Sequence, residues 1–298
     1  MTAAVASART HDVPVAGGRT LRAYEAGDPA GVPVVVHHGT PCSGILAATW
    51  AADAKERGIR LVGFDRAGYG GSTRQPGRRV ADVAADTAAL VDALGVEHFR
   101  TWGVSGGGPH VLACAALLPE RVVAAACLAG VAPYAAPGLD WSQGMGQDNL
   151  DEFGAASAGE QPLRDYLEEQ RAQLLAATPS QLRDVMASLL PPADRMVLTG
   201  DRAKFLHAWM TGGLQSGPDG WVDDDLAFLE DWGFELPSIQ VPLLVMQGEQ
   251  DRMVPFAHGS WLADACPDAE VVLSPDDGHL TLLEPIGRVH GWLLSQAG

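Results

Sequence analysis

From residue 20 onward, short apolar runs rich in β-branched side chains alternate with longer segments whose apolar residues recur every three to four positions. The unbroken valines of "VPVVVHHG" predict a strand buried on both faces, and "RTLRAYEAG" predicts one strand of an opening hairpin. "SGILAATWAADAKERG", Ser43 to Gly58, has helical spacing and closes on a glycine stop signal. "IRLVGFDRAGYGGS" predicts a strand and a loop, "VADVAADTAALVDALG" an amphipathic helix, and "HFRTWGVS" another strand. "PHVLACAALLPERV" then predicts a helix and "VAAACLAGVAP" a strand. Strands alternating with helices of this length predict a parallel sheet with helices on both faces, an α/β architecture.

The alternation stops at about Tyr134. From residue 134 to 235 the pattern offers helical segments punctuated by Pro162, Pro179, Pro191, Pro192 and Pro218, and no convincing strand. It resumes with the strand "VPLLVMQGEQD", the helix "PFAHGSWLADACPD", the strand "AEVVLSP" and a final helix "TLLEPIGRVHGWLLSQ". The expected organisation is a core of residues 1–133 and 236–298 interrupted by a helical insertion, 134–235. An insertion after a strand's carboxyl end sits over the crevice where open α/β sheets bind ligands, so this one is placed to act as a lid, or cap.

The 298 residues are 47% apolar, ample for a large core. The formal charge of −17 and the absence of a Lys/Arg cluster argue against nucleic-acid and membrane-surface roles. Cys42, Cys114, Cys127 and Cys266 are far apart and show no metal-ligand spacing, which predicts free thiols and no metal. No apolar run approaches membrane-spanning length, and "MTAAVASARTHDVPVAGG" lacks a continuous hydrophobic segment. These features lead us to expect a cytoplasmic protein acting on a small molecule; oligomeric state is not legible.

Chemistry concentrates in "TWGVSGGGPHV", Thr101 to Val111. A serine among glycines is ordinarily a turn residue. Here, however, it lies between a strand and a helix, the context of a nucleophile elbow, with Gly103 and Gly107 letting the two pass closely. A serine nucleophile requires a histidine and an orienting carboxylate, in the order Ser, Asp, His. "VPLLVMQG" runs into Glu249, Gln250 and Asp251, and "AEVVLSP" runs into "DDGH", ending at His279. Both loops follow strands at the edge of the sheet that carries Ser105. Glu249, Asp276 and Asp277 are rival carboxylates, with Asp251 ahead because it opens the loop at the end of the strand pattern. His110 and His290 lie within helices, His207 in the insertion, His258 near a helix start and His11 in the tail. An oxyanion needs two donors. One is the Gly106 N–H, and Thr40 in "HHGTPCSG" is the best candidate for the second, since Pro41 has no N–H; the Thr40 hydroxyl is a further candidate donor.

Taken together, "HHGTP", "DRAGYGGS" (Asp65 to Ser72), "GVSGGGP", "GEQDRMVP" and "DGH" resemble the α/β-hydrolase superfamily in its lid-bearing branch, in the superfamily's order. The resemblance implies a mostly parallel eight-stranded sheet with a helical cap after the sixth strand. It also implies a catalytic triad of Ser105, Asp251 and His279, an oxyanion hole of Thr40 and Gly106, and Asp65 and Arg66 bracing the oxyanion loop. Resembling epoxide hydrolases and haloalkane dehalogenases carry aspartate where this chain has Ser105, which disfavours those activities. "HGTP" also lacks the glycines of lipase-type loops and differs from the "HGGPG" of proline iminopeptidases.

The expected chemistry is acyl transfer without a cofactor: hydrolysis of a small or medium hydrophobic carboxylic ester or lactone. Alternatives are a lid-type aminopeptidase, a cofactor-free perhydrolase or C–C hydrolase, and a slow-turnover ligand receptor of the same fold. His38, Cys42, Trp141, Met145, Trp209 and Met253 are candidate substrate contacts, with Phe153, Met186, Met196, Phe205, Met210 and Trp221 as further bulky groups of the insertion and its surroundings. Glu160, Asp165, Glu168 and Glu169 are candidates for holding an amino terminus, although their helical spacing fits a solvated face better.

Overall fold

The computed structural model describes residues 4–297; the expected core boundaries at residues 1–3 and 298 fall outside that range. Eight strands form one sheet: β1 (Arg9–Val15), β2 (Arg19–Gly27), β3 (Val32–His37), β4 (Ile59–Phe64), β5 (Phe99–Val104), β6 (Val122–Leu128), β7 (Leu243–Gly248) and β8 (Glu270–Ser274). Their spatial order is β1-β2-β4-β3-β5-β6-β7-β8. The β1–β2 and β2–β4 pairs are antiparallel and every later pair is parallel. After β3 the chain steps outward to β4, then returns to pair β5 on the other side of β3. The strand order therefore reverses between β3 and β5, and at such a switch point the connecting loops diverge to leave a crevice at the carboxyl ends.

Side chains alternate across the sheet. Val34, Val36, Leu61, Trp102 and Ala126 pack on one face with Trp50 and Ala54 of α1 (Ala48–Glu56) and Val289 and Leu293 of α11 (Gly287–Ser295). Val35, Val62, Phe99, Ala125 and Val245 pack on the other. There they meet Leu90 of α2 (Val83–Ala93), Val111 of α3 (Gly107–Leu117) and Leu262 of α10 (Phe256–Ala265). Coverage on both faces is why the central strands read as continuous apolar runs.

Between β6 and β7 the described chain builds α4 (Gln147–Ala158), α5 (Glu160–Ala176), α6 (Leu182–Val185), α7 (Pro192–Val197), α8 (Gly200–Leu214) and α9 (Asp219–Leu229). Leu163, Leu167, Trp209 and Leu214 from this segment join the cluster that contains Trp50 and Trp102, which fixes the inserted helices to the sheet layer. Among the described residues no helix is long and apolar enough to cross a membrane.

Three local expectations change. The tail containing His11 is the missing hairpin strand, β1, whose polar "RTHDVPV" carries only a weak alternation. The helix expected from Ser43 starts at Ala48, because Ser43 N–H donates to the Trp209 carbonyl (2.9 Å) and Gly44 N–H to Asp65 Oδ1 (2.6 Å). The final helix starts only at Gly287, since Pro285 cannot donate into a helix and restricts the residue before it.

Candidate active site

Ser105 follows β5 directly and holds φ at +57°, a left-handed conformation worth about 1–3 kcal/mol of strain for a residue with a Cβ. The turn is pinned at both ends: Ser105 N–H donates to the Leu128 carbonyl (2.9 Å), and the Ser105 carbonyl accepts from Gly108 N–H (2.8 Å). Strand and helix cross too closely for side chains here, since a Cβ on Gly103 would lie 2.5 Å from the Gly107 carbonyl oxygen. The glycines of "GVSGG" are therefore a packing requirement of the turn that projects one hydroxyl.

The loop after β3 approaches this turn. A Cβ on Gly39 would stand 3.3 Å from Ser105 Cβ, and one on Gly106 would strike the Thr40 side chain. Among the described residues the backbone N–H groups of Thr40 and Gly106 have no hydrogen-bond acceptor. Buried amides are nearly always paired, so two free ones beside a projecting serine constitute an anion-receptive spot. The Thr40 hydroxyl donates to Asp224 Oδ2 (2.7 Å) in this structure, so serving as a further oxyanion donor would require it to leave that carboxylate.

Asp224, on α9, anchors a buried network. It accepts from Arg66 (2.6 Å), Arg78 (2.6 Å) and Tyr69 (2.8 Å) in addition to Thr40. Burial opposes ionisation, but the two guanidinium groups overcome it and hold the carboxyl well below the usual carboxylate range. Arg66 also donates to the His38 carbonyl, while Asp65 accepts from Gly44 (2.6 Å) and Gly71 (2.9 Å). The loop bearing Thr40 is thus fixed from the inserted helices and the sheet together.

At the ends of β7 and β8, Asp251 and His279 meet: His279 Nδ1 lies 2.7 Å from Asp251 Oδ2. Asp251 also accepts from Met253 N–H (2.8 Å), Val254 N–H (2.9 Å) and Gln247 (3.2 Å), so its orientation is over-determined. Glu249, Asp276 and Asp277 do not contact His279; Glu249 is exposed and Asp277 accepts from Ser274. Burial alone would lower the His279 pKa, but the charge and hydrogen bond of Asp251, with a contribution from Asp194, raise it above the ordinary value. In this conformation Ser105 Oγ makes no hydrogen bond to His279.

Asp194 escaped sequence reasoning. It lies on α7 of the insertion, fully buried, and accepts from the backbone N–H of His279 (2.8 Å), Leu280 (2.9 Å) and Thr281 (3.0 Å). Nothing in "PPADRM" distinguishes an aspartate that caps a loop 85 residues away from one that caps its own helix.

A cavity of about 120 Å³ joins the serine to the insertion, lined by Thr40, Ser105, Gly106, Met253 and Val254 on the sheet side. Of the proposed substrate contacts, Met253 lines it, as do Phe153, Met186, Met210 and Trp221. His38 does not, because both ring nitrogens are engaged, Nδ1 with the Gly39 carbonyl (2.8 Å) and Nε2 with Arg66 N–H (3.1 Å). Cys42 is buried away from it in the core, with its thiol pKa pushed up by burial. Trp141 is turned to donate to the Ala132 carbonyl (2.7 Å) and buttresses Phe153, and Met145 is packed in the core. Trp209 and Phe205 line a different, apolar groove, and Met196 is on the surface. Glu160, Asp165, Glu168 and Glu169 are exposed. The acidic groups that do line the cavity, Asp148, Glu152 and Asp225, lay unremarked in the sequence; the four-residue spacing of Asp148 and Glu152, and of Trp221 and Asp225, was the available signal.

This geometry accords with comparison to known proteins. The alpha/beta hydrolase fold family matches residues 32–285. The chain belongs to that family. Among family relatives, a non-heme chloroperoxidase of Streptomyces lividans is 30% identical, covering 88% of this chain and 86% of that protein. A bifunctional esterase/perhydrolase of Acinetobacter calcoaceticus is 28% identical over 86% of this chain and 88% of its own. An alpha/beta hydrolase fold protein from Nakamurella multipartita superposes with a TM-score of 0.66 at 25% identity, covering 97% of this chain and all of that one.

Proposed function

We propose that this family member is a serine hydrolase that cleaves a small or medium carboxylic ester or lactone through an acyl-enzyme. The observation that carries the reading is the left-handed Ser105, which projects into a cavity edged by the free amides of Thr40 and Gly106. Neutral His279 removes the Ser105 proton as Oγ attacks the carbonyl carbon, while Asp251 holds the imidazole with Nδ1 protonated. The tetrahedral oxyanion takes its two hydrogen bonds from the Thr40 and Gly106 amides. His279 then returns the proton to the leaving alkoxide, and a water activated by the same histidine releases the acid. The inserted helices act as the cap that excludes bulk water and supplies the recognition wall. An esterase/perhydrolase among the relatives supports an ester as the scissile group.

Intact-mass analysis after treatment with a fluorophosphonate tests the reading. A single adduct mapped to Ser105, absent in Ser105→Ala, together with turnover of short p-nitrophenyl esters, is the expected result. Unabated ester turnover by Ser105→Ala would overturn it.

A further inference from the structure

The cavity wall built by the insertion carries a charge pattern that ester hydrolysis does not require. Asp148, Asn149 and Glu152 come from α4, Tyr166 and Gln170 from α5, and Trp221 and Asp225 from α9; these three helices pack on one another. Glu152 follows Asp148 and Asn149 by four and three residues, and Tyr166–Gln170 and Trp221–Asp225 are each four apart, so one face of each helix turns to the cavity. Three carboxyl groups line the space, and no lysine, arginine or histidine does.

Asp225 is the telling member. It is fully buried, and neither of its carboxyl oxygens accepts from an N–H or alcohol donor among the described residues; the group that reaches it is the Glu152 carboxyl. Its chain neighbour Asp224 takes both nearby guanidinium groups, Arg66 and Arg78. Beside Asp225 stands Glu152, whose Oε1 accepts from Trp221 Nε1 (2.8 Å). Burial pushes both carboxyls up from the usual range; the charge of Asp148 adds to this at Glu152, and the charges of Glu152 and Asp224 add to it at Asp225. A buried carboxyl without a counter-charge costs several kcal/mol when ionised, and retaining two side by side at a cavity wall makes physical sense if the missing counter-charge arrives with the ligand. No trio of metal-ligating side chains is gathered among the described residues, so the geometry favours an organic cation over a metal ion. Tyr166, Trp221, Phe153 and Phe228 add aromatic surface of the kind that receives an ammonium group.

We propose that Glu152 and Asp225 form a recognition site for an organic ammonium group, so that the ligand of this cavity is a small amine-bearing molecule. Calling that ligand a substrate rests on the reading of Ser105 as nucleophile; the cation site itself does not. Binding replaces a shared proton on the carboxyl pair with the ligand's positive charge, and the displaced proton passes to solvent.

Isothermal calorimetry on full-length Ser105→Ala, titrated at pH 7.5 with benzylammonium and with its neutral counterpart benzyl alcohol, tests this. The amine should bind at least tenfold more tightly, and only its heat should change between phosphate and Tris buffers, the mark of proton release. Adding Glu152→Gln or Asp225→Asn, each isosteric, should reduce the amine preference below threefold. Two substitutions are used because Asp225 is wholly buried; if Asp225→Asn does not fold, Glu152→Gln decides. Alcohol binding within threefold of the amine, or a preference that survives substitution, overturns the proposal. Amine selectivity in a protein whose Ser105 fails to react with the fluorophosphonate would sink the catalytic reading and leave the cation site standing.

Discussion

The sheet edge, with the groups that brace it, and the cavity wall of α4 and α9 treat buried charge in opposite ways. At the sheet edge Asp251 has four hydrogen-bond donors, and Asp224, reaching from α9 to the Thr40 loop, has two guanidinium partners. Across the cavity Asp225 accepts from no N–H or alcohol donor among the described residues and faces another carboxyl, Glu152. A fully satisfied network is rigid and holds atoms where chemistry needs them; an unsatisfied group waits for what completes it. On the proposed reading, the contrast separates a region organised in advance for reaction from one organised for selection. It can be broken by substitutions whose effects should fall steeply along the path from nucleophile to support.

The largest effect belongs to Ser105→Ala. Loss of the nucleophile should reduce ester kcat by at least about 10⁴-fold, with the unfolding midpoint little changed because alanine keeps the Cβ and hence the same turn strain. Steady-state kinetics and thermal unfolding of the same sample check both halves.

Asp251→Asn comes next, with an expected loss in kcat of roughly 10³–10⁴, since an amide no longer stabilises the imidazolium or its tautomer. Glu249→Gln, at an exposed rival carboxylate, should stay within about twofold. The pH profile sharpens the test. On the proposed mechanism His279 acts as a base when neutral, and its pKa is raised from the ordinary 6.5, so the acid limb of kcat/KM should lie above pH 6.5. Without Asp251 the burial contribution dominates, and the limb of the residual activity should move to lower pH. The same raised pKa makes the histidine's stabilising contribution full below about pH 6.5 and lost as pH rises through the folded-state value.

Why the sheet edge was legible and the insertion was not follows from how each places its residues. Ser105, Asp251 and His279 each sit within a few residues of a strand's carboxyl end, and strand order plus the parallel rule brings such positions to one edge without any knowledge of packing. Glycine requirements at Gly103 and Gly107 are likewise local, written in the residues that make the turn. The cavity wall depends on which faces of α4, α5 and α9 meet, a question of packing among six helices that periodicity alone does not answer. Trp141 and Trp209 have the right chemistry and point elsewhere, whereas Glu152 and Asp225 look like surface acids until the helices are assembled. Asp194 is harder still, because its partners are backbone amides of a distant loop and leave no mark on side-chain pattern.

Asp194→Asn occupies the next step down and tests whether the two regions are mechanically joined. Asparagine keeps one acceptor oxygen for three amides, so the His279 loop should loosen, and a misplacement on the scale of an ångström costs up to about 10²-fold. The expected loss in kcat is roughly ten- to hundredfold, with KM for neutral esters changing less than kcat. Because Asp194 also contributes to the raised His279 pKa, the acid limb should shift downward. A purely structural role would lower the unfolding midpoint and leave that limb in place.

The smallest expected effect within the site itself separates two candidate sources of oxyanion stabilisation that lie on one residue. Thr40→Val removes a hydroxyl that donates to Asp224 and keeps the backbone amide. Asp224 retains Arg66, Arg78 and Tyr69, so its ionisation and its hold on the loop persist. If the amide supplies the oxyanion hydrogen bond, ester kcat should fall no more than about fivefold, within what a lost neutral hydrogen bond to a well-supported carboxylate costs. Should the hydroxyl instead swing from Asp224 to the oxyanion during reaction, its loss would cost about 10²–10³, the usual penalty for deleting an oxyanion donor. A loss of that size would mean that the network around Asp224 reorganises with each turnover, and the sheet edge would no longer count as the rigid member of the pair.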